Sequence, residues 1–105
     1  KTTEIIIYRI IQEALNNIVK HSKSTNALIE LSTTDSELQL NIIDDGVGVD
    51  LSKLNEKIKS YGIHNIKERV NSLNGIVEIE TKPDKGFKYH ITIPIWLLMT
   101  EKIKI

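Results

Sequence analysis

The most constraining feature of the sequence is a strict alternation of apolar and polar side chains near its C-terminus. From position 87 to position 95 every odd residue is apolar, and the even residues are Lys88, His90, Thr92 and Pro94. Because successive side chains of a β-strand point to opposite faces, this pattern predicts a strand with one buried face. Such a strand needs a sheet that is covered on one side by a second layer.

Five further segments show the period of a helix or of a strand. Residues 4–22 lack Gly and Pro, and their apolar residues recur at spacings of three and four, which predicts one long helix. Residues 63–73 repeat this period, and Asn74-Gly75 predicts that the helix ends at a glycine. Residues 27–33, 38–42 and 76–81 predict strands. The order of helix, hairpin, long loop, helix and hairpin predicts an α+β two-layer sandwich with its helices on one face.

Composition excludes several classes of function. A chain of 105 residues has room for a single core. The 14 Lys and Arg residues balance 14 Asp and Glu residues, so no excess positive charge favours nucleic acid or an anionic membrane. The absence of Cys excludes disulfides, thiolate zinc sites and a cysteine nucleophile. The longest apolar run, residues 95–99, is far shorter than the ~20 residues of a membrane span. We expect a small soluble domain, and its first residue is not Met, as in a fragment of a longer protein.

One face of the first predicted helix is polar. Ile6 and Ile10 lie beside this stripe, so apolar surface flanks it. A solvated helix face is the simplest interpretation. The alternative is a site for a metal-bound phosphate, because an acid, an amide and an amine at this spacing can orient a nucleophile, ligate Mg²⁺ and contact phosphate oxygens. The members of the stripe are Arg9, Glu13, Asn17 and Lys20.

Two glycine-containing segments add to this pattern. The second predicted strand ends in the sequence Asp-Asp-Gly-Val-Gly, at residues 44–48. Glycines there allow the backbone to approach a flat ligand, and a carboxylate can accept from an exocyclic amine, although a tight turn is the alternative. Gly62 precedes the second helix, whose first N–H groups can bind an anion. Each signal is weak alone, whereas their order and spacing together are specific.

With these motifs in this order, the chain resembles the ATP-binding catalytic domain of bacterial sensor histidine kinases. Residues 9–21 (R-I-I-Q-E-A-L-N-N-I-V-K-H) resemble the N box, residues 44–48 the G1 box and residues 62–70 the G2 box. The subfamily that pairs with LuxR-type response regulators is the most similar. The resemblance spans residues 4–95 and implies the Bergerat ATP-binding sandwich, with a mixed sheet whose N-terminal strand is missing here.

The resemblance implies a binding site for adenine and magnesium. Asp44 would accept from the adenine amino group, which selects ATP over GTP. Gly46 and Gly48 would form the floor of the adenine pocket. Asn17 would ligate the Mg²⁺ that bridges the phosphates.

The resemblance also implies residues that contact the phosphates. Lys20 and His21 would meet phosphate oxygens, and catalytic roles are implied for Lys20 and for Glu13, which stands where related ATPases place a base. Residues 49–61 would form a mobile ATP lid. Gly62 and the amides after it would meet the phosphates, and the nucleotide-binding residues implied at this place are Tyr61, Gly62 and Ile63.

Two substitutions depart from the family pattern, and one part of the kinase is missing. Ser60 replaces a glycine of the lid, and Phe87 follows Gly86 where the family has a threonine. No histidine of the chain is followed by the acidic residue typical of the phosphoacceptor. We therefore expect only the catalytic half of the kinase.

The resemblance implies the partners of this catalytic half. They are the dimerisation domain with its acceptor histidine, which lies outside this chain, and a LuxR-type response regulator. The parent protein would be a homodimer with this domain in the cytoplasm, and this domain would contact neither nucleic acid nor membrane. Two alternatives stay open, namely a serine kinase of anti-sigma-factor type or related ATPase, and a regulatory module that binds nucleotide or protein without turnover.

The C-terminal tail, residues 96–105, is not explained by the family pattern. It contains six large apolar side chains, which a soluble monomer rarely leaves in water. We expect the tail to dock as an edge strand, in this chain or in a second copy, and a disordered tail is the alternative.

Overall fold

The computed structural model describes residues 2–50 and 62–94. Most of the expected lid, residues 51–61 with Tyr61 among them, therefore lies outside the described residues. The tail 96–105 lies outside them as well. Within the described part of the chain, no helix is long and apolar enough to cross a membrane. The elements in chain order are α1 (Thr2–Asn17), a π-helical segment (Ile18–Ser22), β1 (Ala27–Thr33), β2 (Glu37–Asp44), α2 (Ile63–Ser72), β3 (Ile76–Thr81) and β4 (Phe87–Pro94).

The four strands form one sheet in the order β1-β2-β4-β3. Every neighbouring pair is antiparallel, so the expectation of a mixed sheet is wrong for the described strands. The physical reason is the position of β4. The α2 crossover joins β2 to β3, which run in the same direction, but β4 lies between them and pairs with both.

The core lies between one face of this sheet and the two helices. Side chains of β2 and β4 alternate between buried and half-buried positions, as the sequence pattern predicts. A fully buried isoleucine contributes about 1.5–3 kcal/mol to folding, so each inward position of these strands stabilises the sandwich. The α+β two-layer sandwich is thus confirmed, with a core that includes Ile10 and Ala14 of α1, Ile66 and Val70 of α2, and Leu40, Ile42, Ile91 and Ile93 of the sheet.

Both helices end differently from the simple prediction. The first helix is α-helical only to Asn17 and then widens into the π-helical segment. The residue that follows this segment, Lys23, has a left-handed conformation with φ 52°. After α2 the left-handed residue is Asn74, with φ 57°, and not Gly75. Gly75 is required for a different reason, because a Cβ there would lie 2.6 Å from the carbonyl oxygen of Thr92. The glycine lets the end of α2 pass directly over β4.

Candidate functional site

A small cavity lies where the end of α1 meets the end of β2. Its volume is about 10 Å³, the space of roughly one water molecule. Four of the predicted site residues line it, and the other lining residues were not predicted. The predicted ones are Asn17, His21, Asp44 and Gly48, and the others are Ile18, Val49, Phe87 and Tyr89.

Asn17 is buried at this cavity and does not lie on a solvated helix face. Its side chain is 6% exposed. The amide Nδ2 donates a hydrogen bond to the hydroxyl of Tyr89 over 2.9 Å, across the two layers of the sandwich. This bond fixes the orientation of the amide. Its other polar atom is the oxygen Oδ1, and an amide oxygen is the type of ligand that a hard cation prefers.

Asp44 brings a carboxylate to the same cavity from the last position of β2. The side chain is 6% exposed, and its Oδ1 accepts a hydrogen bond of 2.8 Å from the backbone N–H of Gly46. Burial raises the pKa of Asp44 above its ordinary value, the Gly46 bond lowers it, and the nearby charge of Asp45 raises it again. A buried carboxylate with a free acceptor capacity is suited to recognise an amino group.

The glycines of the segment 44–48 have a structural task that the sequence argument did not foresee. Gly48 has φ +63°, and a Cβ there would lie 2.0 Å from the carbonyl oxygen of Lys82. Gly46 accepts a hydrogen bond of 3.0 Å from the N–H of Gly86. The loop after β2 is thus packed against the turn that joins β3 to β4, and Gly48 allows this close approach while also lining the cavity.

A second group of predicted residues meets at the start of α2. Gly62 has φ +64°, and a Cβ there would lie 2.7 Å from the carboxylate carbon of Glu13. Oε1 of Glu13 is 3.9 Å from Nη1 of Arg69, and both side chains are partly exposed. The N-cap residue of α2 is Gly62, which makes no side-chain cap hydrogen bond. Glu13 therefore places a negative charge beside the positive end of the helix dipole.

Three predicted residues differ from the simple expectation, and the first is Gly46, which was expected in the floor of the adenine pocket but does not line this cavity. Lys20 is exposed and does not line the cavity. Lys20 lies in the π-helical segment, where the rotation per residue is smaller than the roughly 100° of an α-helix. The polar stripe of α1 therefore does not continue to Lys20. Ile63 is 1% exposed and packs in the core, which leaves its backbone as the part able to meet a ligand.

Asp45 was predicted only as part of the glycine segment, yet it organises the loop before β1. Its carboxylate accepts from the backbone N–H groups of Thr25 and Asn26, each at 3.0 Å. It also accepts from the Thr25 hydroxyl at 3.0 Å and the Asn26 amide at 3.2 Å. These bonds, those to Asn26 first, lower the pKa of Asp45 to about 2.

Two aromatic residues that were not among the predicted site residues line the cavity, namely Tyr89 and Phe87, of which Phe87 was noted only as a departure from the family pattern. Their ring centroids lie 4.8 Å apart. The signal for Tyr89 was present, because its odd position in the alternating strand points it inward, and a buried tyrosine hydroxyl needs a hydrogen-bond partner. The partner, Asn17, was already identified from the other end of the chain.

Comparison with known proteins identifies the class to which this fold and cavity belong. Residues 2–97 match the family model described as histidine kinase-, DNA gyrase B- and HSP90-like ATPase. The chain therefore belongs to this family of ATPases.

Its curated relatives include sensor histidine kinases. The chain is 46% identical over 93 residues to sensor histidine kinase ComP of Bacillus subtilis strain 168, which covers 89% of this chain and 12% of ComP. It is 37% identical over 95 residues to the histidine-protein kinase/phosphatase DegS of the same organism, which covers 90% of this chain and 25% of DegS. The chain thus spans a quarter or less of the length of these two relatives.

Solved structures show the same fold. The histidine kinase domain of the blue-light activated histidine kinase from Erythrobacter litoralis EL346 superposes with a TM-score of 0.75 at 22% identity, covering 93% of this chain and 47% of that one. The ATP binding domain of PrrB from Mycobacterium tuberculosis superposes with a TM-score of 0.72 at 19% identity, covering 86% and 67% of the two chains. The fold is that of histidine kinase ATP-binding domains.

Proposed function

We propose that this chain binds Mg-ATP and transfers the γ-phosphoryl group to a histidine on the dimerisation domain of a sensor histidine kinase. The observation that carries the proposal is the shared cavity of Asn17, Asp44 and Gly48, which come from separate parts of the sequence. The carboxylate of Asp44 would accept from the adenine amino group and repel the carbonyl of guanine.

Asn17 suits a magnesium ion that arrives together with the nucleotide. Mg²⁺ usually takes one or two protein oxygens and fills its other positions with phosphate oxygens and water. Within residues 2–50 and 62–94, no group of three or more His, Asp or Glu side chains could hold a metal alone. One amide oxygen from Asn17 fits the first arrangement, and the bound ion would supply neutralisation of phosphate charge.

The start of α2 would hold the phosphates. Its first N–H groups follow Gly62, which suits an anion at a helix N-terminus, and Tyr61 and Ile63 would add backbone contacts. His21 lines the cavity, and Lys20 precedes it in the π-helical segment, so we assign both to contacts with phosphate oxygens. Catalysis would consist mainly of positioning, with Glu13 in the place where related ATPases have a base.

The partners follow from the family and from the motif form. ComP and DegS are histidine kinases, and the Q-E-A-L-x-N-x-x-K-H form of the N box is that of kinases paired with LuxR-type response regulators. The parent protein would be a homodimer that carries this domain in the cytoplasm, where ATP is available. It would pass the phosphoryl group from its histidine to such a regulator in two-component signalling.

Calorimetry with ATP and GTP, with and without Mg²⁺, tests the binding half of the proposal. We expect Mg²⁺-dependent binding of ATP that is tighter than binding of GTP by roughly ten- to a hundred-fold, because the wrong base leaves a buried carboxylate unpaired. Equal affinities for the two nucleotides would contradict the assignment of Asp44.

A transfer assay tests the catalytic half. The domain is joined to its acceptor helices and incubated with labelled ATP, and the acid stability of the product is measured. Acid-labile label indicates phosphohistidine and supports the proposal, whereas acid-stable label indicates a serine kinase. The departure at Phe87, which lines the cavity where the family has a threonine, favours one further candidate, a binding module without turnover, and ATP binding with no transfer would indicate that module.

A further inference from the structure

The first helix carries a second apolar stripe, on its side away from the sheet. We call this stripe the outer seam, and its members Ile5, Tyr8, Gln12 and Leu15 are all exposed. Ile5 is 59% and Tyr8 63% exposed. At about 100° per residue, Tyr8 and Gln12 lie about 160° around the helix from the fully buried Ile10. The outer seam therefore points away from the core.

This face is not one on which a further strand could pair. The N-terminal strand implied by the family resemblance belongs to the sheet, and α1 lies between the sheet and the outer seam. Ile10 and Ala14 of α1 belong to the core shared with the sheet, and Asn17 donates its hydrogen bond to Tyr89 of β4. A strand that pairs with an edge of the sheet therefore leaves the outer seam exposed.

The spacing of the outer seam is that of a coiled coil. Its members follow one another at intervals of three, four and three residues. Ile5 and Gln12 thus occupy a positions of a heptad repeat, and Tyr8 and Leu15 occupy d positions. Val19, four residues further on, is 84% exposed. Single exposed apolar residues are normal on a soluble protein, whereas a heptad stripe is the surface along which one helix packs against another.

The charges on the two borders of the outer seam indicate which helix fits it. With Ile5 at an a position, Glu4 occupies a g position and Arg9 an e position, and both side chains are exposed. They lie about 140° apart around the helix, so they do not meet within one helix. In two parallel helices, a g residue lies beside the e residue five positions further along the other helix. Two parallel copies of α1 therefore bring Glu4 of each copy to Arg9 of the other.

We propose that the outer seam pairs with the outer seam of a second copy of this chain, with the two α1 helices parallel. The same patch is then used on both copies, related by a two-fold axis. The two Gln12 amides meet at the central a position, where each offers a donor and an acceptor to the other, and one polar a residue favours a defined register. The cavity stays accessible, because Asn17 lies on the side of α1 opposite to the outer seam.

Molar mass in solution tests the pairing. The outer seam is shorter than the three to four heptads of a stable coiled coil, so we expect a weak dimer whose population depends on concentration. Sedimentation equilibrium up to about 1 mM covers the Kd range of such a complex. A chain that is monomeric throughout this range would overturn the proposal. The pairing needs no nucleotide, so its test is independent of the proposed function.

Reversal of the border charges tests the partner assignment. Glu4→Arg and Arg9→Glu should each raise the Kd by roughly three- to ten-fold, because both ion pairs become like-charge contacts. The double variant restores opposite charges in exchanged positions and should recover the Kd of the wild type. Glu78→Arg is the matched control, since Glu78 is exposed on β3 and lies outside α1, and it should leave the Kd unchanged. A double variant that pairs as weakly as the single variants would contradict the parallel arrangement.

A substitution in the outer seam tests its apolar part. Tyr8→Lys should leave no detectable dimer, because it places two like charges at facing d positions. Ile76→Lys is the matched control, because Ile76 is an equally exposed apolar residue, at 66%, on β3. The substituted side chains are exposed, so each variant is expected to fold. A dimer that Tyr8→Lys leaves intact would pair through another surface, such as the tail 96–105, and would refute the proposal.

Single cysteines test the orientation, since the chain has no cysteine of its own. Gln12→Cys should form a disulfide-linked dimer in a glutathione redox buffer, because the two residues at position 12 face each other in a parallel pair. Asn16→Cys is the control on the same helix. Asn16 is exposed at an e position, and two e residues lie on opposite sides of a parallel pair, so this variant should remain monomeric. Faster cross-linking through position 16 than through position 12 would indicate an antiparallel pair and would overturn the proposal.

Discussion

The amide of Asn17 donates a hydrogen bond to the hydroxyl of Tyr89 over 2.9 Å, and both residues are buried. This bond joins the last residue of α1 to the middle of β4 and fixes an amide at the wall of the candidate nucleotide site. It also changes the expected effect of mutation. The position of Asn17 on the polar stripe of the helix suggests a surface residue, but Asn17 is part of the packed interior.

Asn17→Ala should therefore cost stability as well as activity. Loss of the amide leaves the Tyr89 hydroxyl without this partner, at a cost of about 1–3 kcal/mol, which lowers Tm by roughly 4–8 °C per kcal/mol in a domain of this size. Tyr89→Phe is the matched control, because it removes the same hydrogen bond but keeps the Asn17 oxygen. Thermal unfolding should show similar losses for the two variants, while Mg-ATP binding is abolished only in Asn17→Ala. Wild-type ATP affinity in Asn17→Ala would refute its role as a metal ligand.

Asp44→Asn should stabilise the free chain at neutral pH and weaken ATP binding. The pKa of Asp44 is raised by burial above its ordinary value of 3.8, so the folded chain binds this proton more tightly than the unfolded chain does. Stability from this group is therefore lost as the pH rises from about 3.8 through the raised pKa. The Asn variant avoids that loss and retains an acceptor for the Gly46 N–H.

The same substitution presents an N–H₂ group to the adenine amine, so we expect ATP affinity to fall roughly ten- to a hundred-fold. Unfolding at pH 7 and calorimetry on the same samples measure the two effects. A lower Tm for the variant would mean that the charged carboxylate has favourable contacts that outweigh its burial.

Asp45→Ala should destabilise the chain in a pH-dependent way. The pKa of Asp45 is lowered to about 2, chiefly by hydrogen bonds from Asn26. The carboxylate thus contributes stability above its unfolded pKa, and this contribution is lost as the pH falls from about 4 toward 2. The difference in Tm between wild type and variant should be constant from pH 7 to pH 5 and shrink below pH 4. A difference that stays constant down to pH 2 would show that the charge of Asp45 is not its source.

Nucleotide binding should require movement of the cavity walls. A volume of about 10 Å³ holds one water molecule but no purine. The walls that can move without disturbing the sheet are the π-helical segment Ile18–Ser22 and the loop 45–50, since single π-helical turns are frequent where function needs an adaptable helix. Hydrogen exchange by mass spectrometry should change in these two segments when Mg-ATP is added, while β2 and β4 are unaffected. ATP binding without any change there would place the nucleotide elsewhere.

The sequence predicts the framework of this domain well because the framework depends on local period. The alternation in 87–95 reports one buried face, and the observed strands begin and end within a residue or two of the prediction. The apolar period of residues 4–22 correctly indicates a helix, although the buried face of α1 is centred on Ile10, Ala14 and Asn17 and not on the partly buried Ile7, Ile11 and Ile18. The sheet order is less local. The strand β4 lies between β2 and β3, so these two parallel strands do not pair. This order depends on how the two hairpins pack, and no short segment of the sequence determines it.

The candidate site was predicted only in part, for a related reason. Site residues of a single motif, such as Asp44 and Gly46, could be predicted because residues that are neighbours in the chain are also neighbours in the fold. The pairing of Asn17 with Tyr89 joins residues 72 positions apart and cannot be read from either segment. The place of Lys20 relative to the polar stripe was not predictable, because the change from α-helix to π-helix after Asn17 has no clear signal in the sequence.

Gly62→Ala tests the contact between α2 and Glu13. A non-glycine residue at the observed φ of +64° costs about 1–2 kcal/mol, and the new Cβ would also meet the Glu13 carboxylate carbon at 2.7 Å. Because that carboxylate ends a flexible side chain, we expect it to be displaced and its 3.9 Å contact with Arg69 to be lost. The free energy of unfolding, measured with denaturant, should fall by the conformational cost plus a steric part.

The matched experiment repeats Gly62→Ala in a Glu13→Ala chain. The steric part should disappear there, so the substitution should cost only the roughly 1–2 kcal/mol of its left-handed conformation. The same cost in both backgrounds would mean that the Glu13 carboxylate does not rest on Gly62 in solution. Glu13 would then be free to orient away from the start of α2.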